Sequence, residues 1–124
     1  MYAIFTVLLA FTLNQVFAAS PDDLLAQLRS DLHSVRASKS TEPVASKVQP
    51  DVKTLVGLRQ TQIHVVLGDP DACVKPKNGS CLGSSEWTYS FYRLPPGWRG
   101  GGPELVLSFD EDLGVRLAAW LYSR

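Results

Sequence analysis

Residues 20–36, SPDDLLAQLRSDLHSVR, set Leu24, Leu25, Leu28, Leu32 and Val35 on one stripe at helical spacing. Ser20 can cap this helix and Pro21 suits its first position. Asp22 and Asp23 match the positive end of its dipole. Residues 37–49, ASKSTEPVASKVQ, carry few apolar groups and have the composition of a linker. The helix is therefore expected to be tethered to the main core rather than built into it. It can dock on the domain, pair with a second copy or lie close to a membrane. Pro50-Asp51 then predicts a short helix with Val52, Leu55 and Val56 on one face and Gly57 as its end. A second helix is predicted over RQTQIHVVLG, residues 59–68, with Ile63, Val66 and Leu67 facing inward. Gly68 and Asp69-Pro70 stop it, because proline lacks an amide donor and disfavours helix at the residue before it.

From residue 86 the period changes to two. Trp87, Tyr89 and Phe91 alternate with Thr88, Ser90 and Tyr92, and Leu105, Leu107 and Phe109 share a face. In GVRLAAWLY, residues 114–122, alternation puts Val115, Leu117, Ala119 and Leu121 on one side. Arg116, Ala118, Trp120 and Tyr122 take the other. Asp110-Glu111-Asp112-Leu113-Gly114 joins the last two strands as a tight hairpin. The predicted class is α+β: two short helices on a three-stranded antiparallel meander (ααβββ), with an extra N-terminal helix. The domain proper spans residues 50–124, preceded by the helix and linker over 19–49.

Composition changes this picture little. The 124 residues suffice for one small domain. The 12 basic and 12 acidic residues balance, which argues against nucleic acid as a partner. The N-terminus changes it more. Residues 2–13, YAIFTVLLAFTL, form an apolar run shorter than the roughly 20 residues of a spanning helix. With Val16 and Ala18 ahead of Ala19, the run reads as a signal peptide over 1–18, cleaved after Ala18. No Lys or Arg precedes the run, so an uncleaved anchor is the alternative. No cysteine lies near the cleavage point, so no lipid anchor is expected there. The protein is expected to be periplasmic or secreted.

Export decides how Cys73 and Cys81 are read. An even pair in an oxidising compartment is expected to form a disulfide, and Pro76 and Asn78-Gly79 favour the turn that would close CVKPKNGSC. Asn78-Gly79-Ser80 is also an N-glycosylation pattern, relevant only in a eukaryotic secretory pathway.

The order VGLRQTQIHVVLGDP … EWTYSFY … ELVLSFDEDLGV resembles the SmpA/OmlA (BamE-like) domain family. The positions that carry it are Gly57, Leu58, Ile63, Leu67, Gly68, Pro70, Trp87, Tyr89, Phe109 and Asp110, within residues 50–122. The resemblance implies an ααβββ domain in a bacterial cell envelope. It further implies a non-catalytic role in outer-membrane assembly, or inhibitor-like binding of an exported enzyme, with another envelope protein as partner. The family's anchor cysteine is absent, the helix over 20–36 is an addition, and Arg59 stands where a Ser or Thr cap is usual. Every matched position is structural in kind, so no binding residue transfers by position.

Candidate chemistry is sparse. RLPPGWRGGGPE, residues 93–104, is too long for a tight hairpin, and Trp98-Arg99 at its tip is the binding anchor to test. Tyr92 and Trp120 are further candidates on a second sheet face. Gly100-Gly101-Gly102 makes a poor phosphate cradle, since no helix start follows and Pro103 lacks a donor. His33 and His64 show no metal-ligand spacing, and no cofactor is expected. A small hydrolase built on His64 would need a serine and a carboxylate to meet it in space.

Overall fold

The structure is a computed structural model that describes residues 20–124. The signal-peptide reading of residues 1–18 lies outside the described residues. No described helix is long and apolar enough to cross a membrane.

The chain opens with helix α1, Pro21–Arg36, followed by the two-residue strand β1, Val44–Ala45. A single 3-10 turn, Lys53–Leu55, precedes helix α2, Gln60–Leu67. Strands β2 (Ala72–Cys73), β3 (Glu86–Ser90), β4 (Tyr92–Arg93), β5 (Pro103–Phe109) and β6 (Val115–Tyr122) complete it. Two antiparallel sheets result: a four-stranded one in the order β2-β3-β5-β6, and a ribbon of β1 with β4.

This corrects the expected ααβββ meander with an added helix in several respects. The first is α1. Leu24, Leu25, Leu28 and Leu32 are buried in one core with Leu55, Ile63, Leu67, Trp87 and Leu107. The helix is thus part of the fold, not tethered to it. Its sequence start signal holds: the Ser20 hydroxyl accepts from the Asp23 amide at 3.1 Å. A five-residue apolar stripe has to be covered somewhere, and here helix α2, strand β4 and the shared core supply the cover.

The second correction is the helix expected after Pro50. One turn forms, with Val52 and Leu55 buried but Val56 half exposed, so only part of the expected apolar face is used. The third is the strand count. Residues 37–49 form a ribbon with β4 for a definable reason. Phe91 donates its amide to the Pro103 carbonyl, but Pro103 has no N–H to return. The Phe91 carbonyl instead accepts from the Ser46 amide at 2.9 Å, and β1 pairs outward from that point.

The fourth correction concerns β6. Ser108 pairs with Leu117, yet Phe109 pairs with Val115, so a bulge at Arg116 shifts the register by one residue. Side chains beyond it change sides. Val115, Ala118 and Trp120 face the core, whereas Leu117 and Leu121 are more than half exposed. Simple alternation put Val115 on one side with Leu117 and Leu121, and the bulge separates them.

Helix α2 and the second predicted strand form as read, whereas the first, expected over 86–93, breaks at Phe91 into β3 and β4, which lie in different sheets. Trp87, Tyr89, Phe91, Leu105 and Leu107 are all fully buried. Gly68, at φ 76°, ends α2 in a backbone conformation that glycine tolerates. Arg59 supplies no capping acceptor. The helix start is held instead by Gln62 Oε1, which accepts from the Arg59 amide at 2.8 Å.

Candidate functional site

Cys73 and Cys81 are bonded, as the sequence predicts, with their Cα atoms 5.7 Å apart. The loop between them closes on Asn78 and Gly79, both at positive φ, and Lys77 and Ser80 exchange backbone hydrogen bonds across it. This is the two-residue Asn-Gly turn that matches strand twist. The loop is fastened to the core at two points. The Trp87 indole donates to the Cys81 carbonyl at 2.7 Å. The buried Gln60 accepts from the Gly83 amide and donates to the Ser84 carbonyl. Gln60 falls among polar residues in the sequence, and nothing there marks it as the buried tie between α2 and this loop.

The 94–102 loop is the clearest presentation device. Its base is held by Ser123, whose amide donates to the Gly102 carbonyl and whose hydroxyl lies 3.2 Å from the Tyr92 hydroxyl. A Cβ on Gly101 would strike the Ser123 backbone, and one on Gly102 would lie 2.6 Å from Tyr92 Cβ. The last two glycines thus permit close packing. Pro95 and Pro103 are buried, and Trp98 donates its amide to the Pro95 carbonyl to form the turn at the tip. Trp98 is 51% exposed and Arg99 beside it is exposed.

The other two anchor candidates sit differently. Trp120 turns inward from β6. Its indole donates to the Pro50 carbonyl at 2.8 Å, and its ring meets Phe91 edge-on at 5.0 Å. Tyr92 is half buried at the base of the loop. The structure therefore does not bring Tyr92 and Trp120 into one exposed surface with Trp98 and Arg99.

His64 Nε2 lies 2.8 Å from Asp69 Oδ1, and its ring meets Trp87 edge-on at 6.1 Å. No serine hydroxyl bonds His64 among the described residues, and the Asp69 carboxylate is largely solvated. No group of three metal-ligating side chains gathers among the described residues. Asp110 uses one carboxylate oxygen to accept from the Asp112 and Gly114 amides, which makes the acidic turn self-contained. Tyr89 is a buried phenol that donates to the Gly68 carbonyl at 2.7 Å, and desolvation raises its pKa well above the ordinary value.

Two features besides Gln60 are not marked in the sequence. An open groove of about 820 Å³ runs between α1 and α2, with Arg29, His33 and Arg36 along one wall and Val65 and Val66 along the other. Asp71 clasps α1 to the sheet: one oxygen accepts from the Ser90 amide at 2.7 Å and from Arg36 at 3.2 Å. Comparison with known protein families, curated proteins and solved structures returned no match.

Proposed function

We propose that this chain is an exported, non-catalytic module that binds another envelope protein, with Trp98 as its anchor. The observation that carries this reading is the half-exposed indole at the tip of a loop fastened at both ends. A tryptophan held out on a fixed loop loses little conformational entropy on binding and brings a large contact area. Arg99 adds directional donors beside it. The Cys73–Cys81 bond supports a location outside the reducing cytosol. The resemblance of residues 50–122 to BamE-like sequences supports an envelope partner.

A second reading has the same loop inserting into the cleft of an exported enzyme as an inhibitor. The exposure of Trp98 favours it equally, so the identity of the partner separates the two. The experiment is quantitative capture from an envelope extract by the protein and by its Trp98→Ala variant. Loss of about 2 kcal/mol, roughly thirtyfold in affinity, is expected for a true anchor. A barrel-assembly component in the captured fraction supports the assembly role, and a soluble exported enzyme supports inhibition. Capture undiminished by Trp98→Ala removes the proposal.

A further inference from the structure

The edge of the sheet at β6 carries a second interaction surface, independent of the Trp98 loop. Ser123 donates its amide to Gly102, which marks that pair as hydrogen-bonded and sets the alternation along β6. The amides and carbonyls of Leu117, Ala119 and Leu121 therefore face β5, opposite Ser108, Val106 and Glu104. Those of Ala118, Trp120 and Tyr122 face away from the sheet. Among the described residues no backbone group bonds to them. The start of the strand is covered, where Val115 exchanges hydrogen bonds with Gly57 and Leu58 and Gly114 pairs with Arg59; farther along, the Lys53–Leu55 turn packs beside β6 and the Pro50 carbonyl accepts from the Trp120 indole.

An open edge this long is ordinarily blunted by lysine, proline or inward charge. Residues 117–122 read Leu-Ala-Ala-Trp-Leu-Tyr and contain none of these. Leu117 and Leu121 are 56% and 57% exposed on the outer face of the sheet. Among the described residues, then, the outward backbone groups of Ala118, Trp120 and Tyr122 have no backbone partner, and Leu117 and Leu121 stand exposed beside them.

We propose that β6 pairs antiparallel with β6 of a second copy, about a two-fold axis at Ala119, to give one continuous sheet of eight strands. In this register Ala118 of one copy lies opposite Trp120 of the other, twice. Each such pair exchanges two backbone hydrogen bonds, which uses the outward groups of both residues. On the outer face Leu117 meets Leu121 of the second copy, and Ala119 meets its own equivalent. On the inner face the small Ala118 leaves room for the neighbouring indole.

Charge selects this direction. The turn at one end of β6 holds Asp110, Glu111 and Asp112, and Arg59 approaches it with one guanidinium, bonded to the Asp112 carbonyl. Three carboxylates against two cations, Arg59 and the exposed Arg116, leave this end of the strand with a net negative charge of one. Arg124 lies beyond the other end of the strand. Antiparallel apposition carries Arg124 of each copy toward the acidic turn of the other, whereas parallel apposition would set the two acidic turns together. The interface is isologous, so both contacts form at once.

The test is sedimentation of the purified protein, disulfide intact, across the micromolar range, with three variants. The unaltered protein is expected to reach twice the mass of one chain. Leu117→Lys with Leu121→Lys sets like charges opposite each other and should weaken the dimer at least about tenfold. Leu117→Lys with Leu121→Glu sets opposite charges across the same axis and should restore most of that loss. Ala119→Cys should yield a crosslinked dimer on mild oxidation, because a non-hydrogen-bonded pair brings the Cα atoms to about 4.5 Å. Circular dichroism of each variant confirms that the fold is kept. A chain that stays monomeric to hundreds of micromolar overturns the proposal. So does a dimer indifferent to both charge variants, or an edge occupied only by a strand of another protein.

Discussion

The four-stranded sheet ends in two unlike edges. At one end β2 has only Ala72 and Cys73, which pair with Thr88 and Trp87. That edge is pinned by the Cys73–Cys81 bond and flanked by Asp71, which ties it to α1. At the other end β6 runs for eight residues, and among the described residues no backbone group bonds its outward side beyond Val115. Short length and a covalent staple close the first edge, whereas the second, past the bulge at Arg116, presents an uncharged run over residues 117–122 with outward donors and acceptors. The contrast teaches that fold stability and availability for binding are allotted to opposite ends of one sheet.

Substitutions at the two edges sharpen this contrast. The largest effect is expected from a proline pair on β6. Ala119→Pro removes an amide that donates to β5 and should cost about 3 kcal/mol, whereas Ala118→Pro removes an outward amide and should cost less than about 1 kcal/mol. Denaturant titration reads the difference, and equal costs would contradict the assigned alternation. Next comes the cystine edge. Cys73→Ser with Cys81→Ser should lose about 2–3 kcal/mol, visible as a lower thermal midpoint that reductant reproduces in the unaltered protein. Asp71→Ala removes two hydrogen bonds, one of which is the exposed ion pair with Arg36. It should cost about 1 kcal/mol, with faster amide exchange at Ser90 as its local signature. The smallest effect is expected on the outer face of β6. Leu121→Lys should change stability by less than about 0.5 kcal/mol while weakening self-association.

The two edges also differ in how far they could be read in advance. The cystine loop was legible because its signals are local: an Asn-Gly turn and only seven residues between the cysteines. Trp98 at a loop tip was legible for the same reason, since proline and glycine around it exclude regular structure. Gln60 and Asp71 were not, because their partners lie 19 to 35 residues away in sequence. The outward turn of Leu117 and Leu121 was hidden by the bulge at Arg116. A two-residue period has no means to register an inserted residue until the neighbouring strand fixes the pairing.

The sequence by itself determined the short-range features of this protein. These are the Ser20 cap, the glycine stop at Gly68, the buried alternation through Trp87, Tyr89 and Phe91, and the closed cysteine loop. Each depends on interactions within a few residues or on the period of one element. Tertiary structure alone decided that α1 belongs to the core, that residues 44–45 become a strand, and which face of β6 meets solvent. The physical reason is the same in all three. A two-residue strand, a shifted register and an apolar stripe acquire their meaning from what lies opposite. In this chain the opposing surfaces come from segments distant along the backbone.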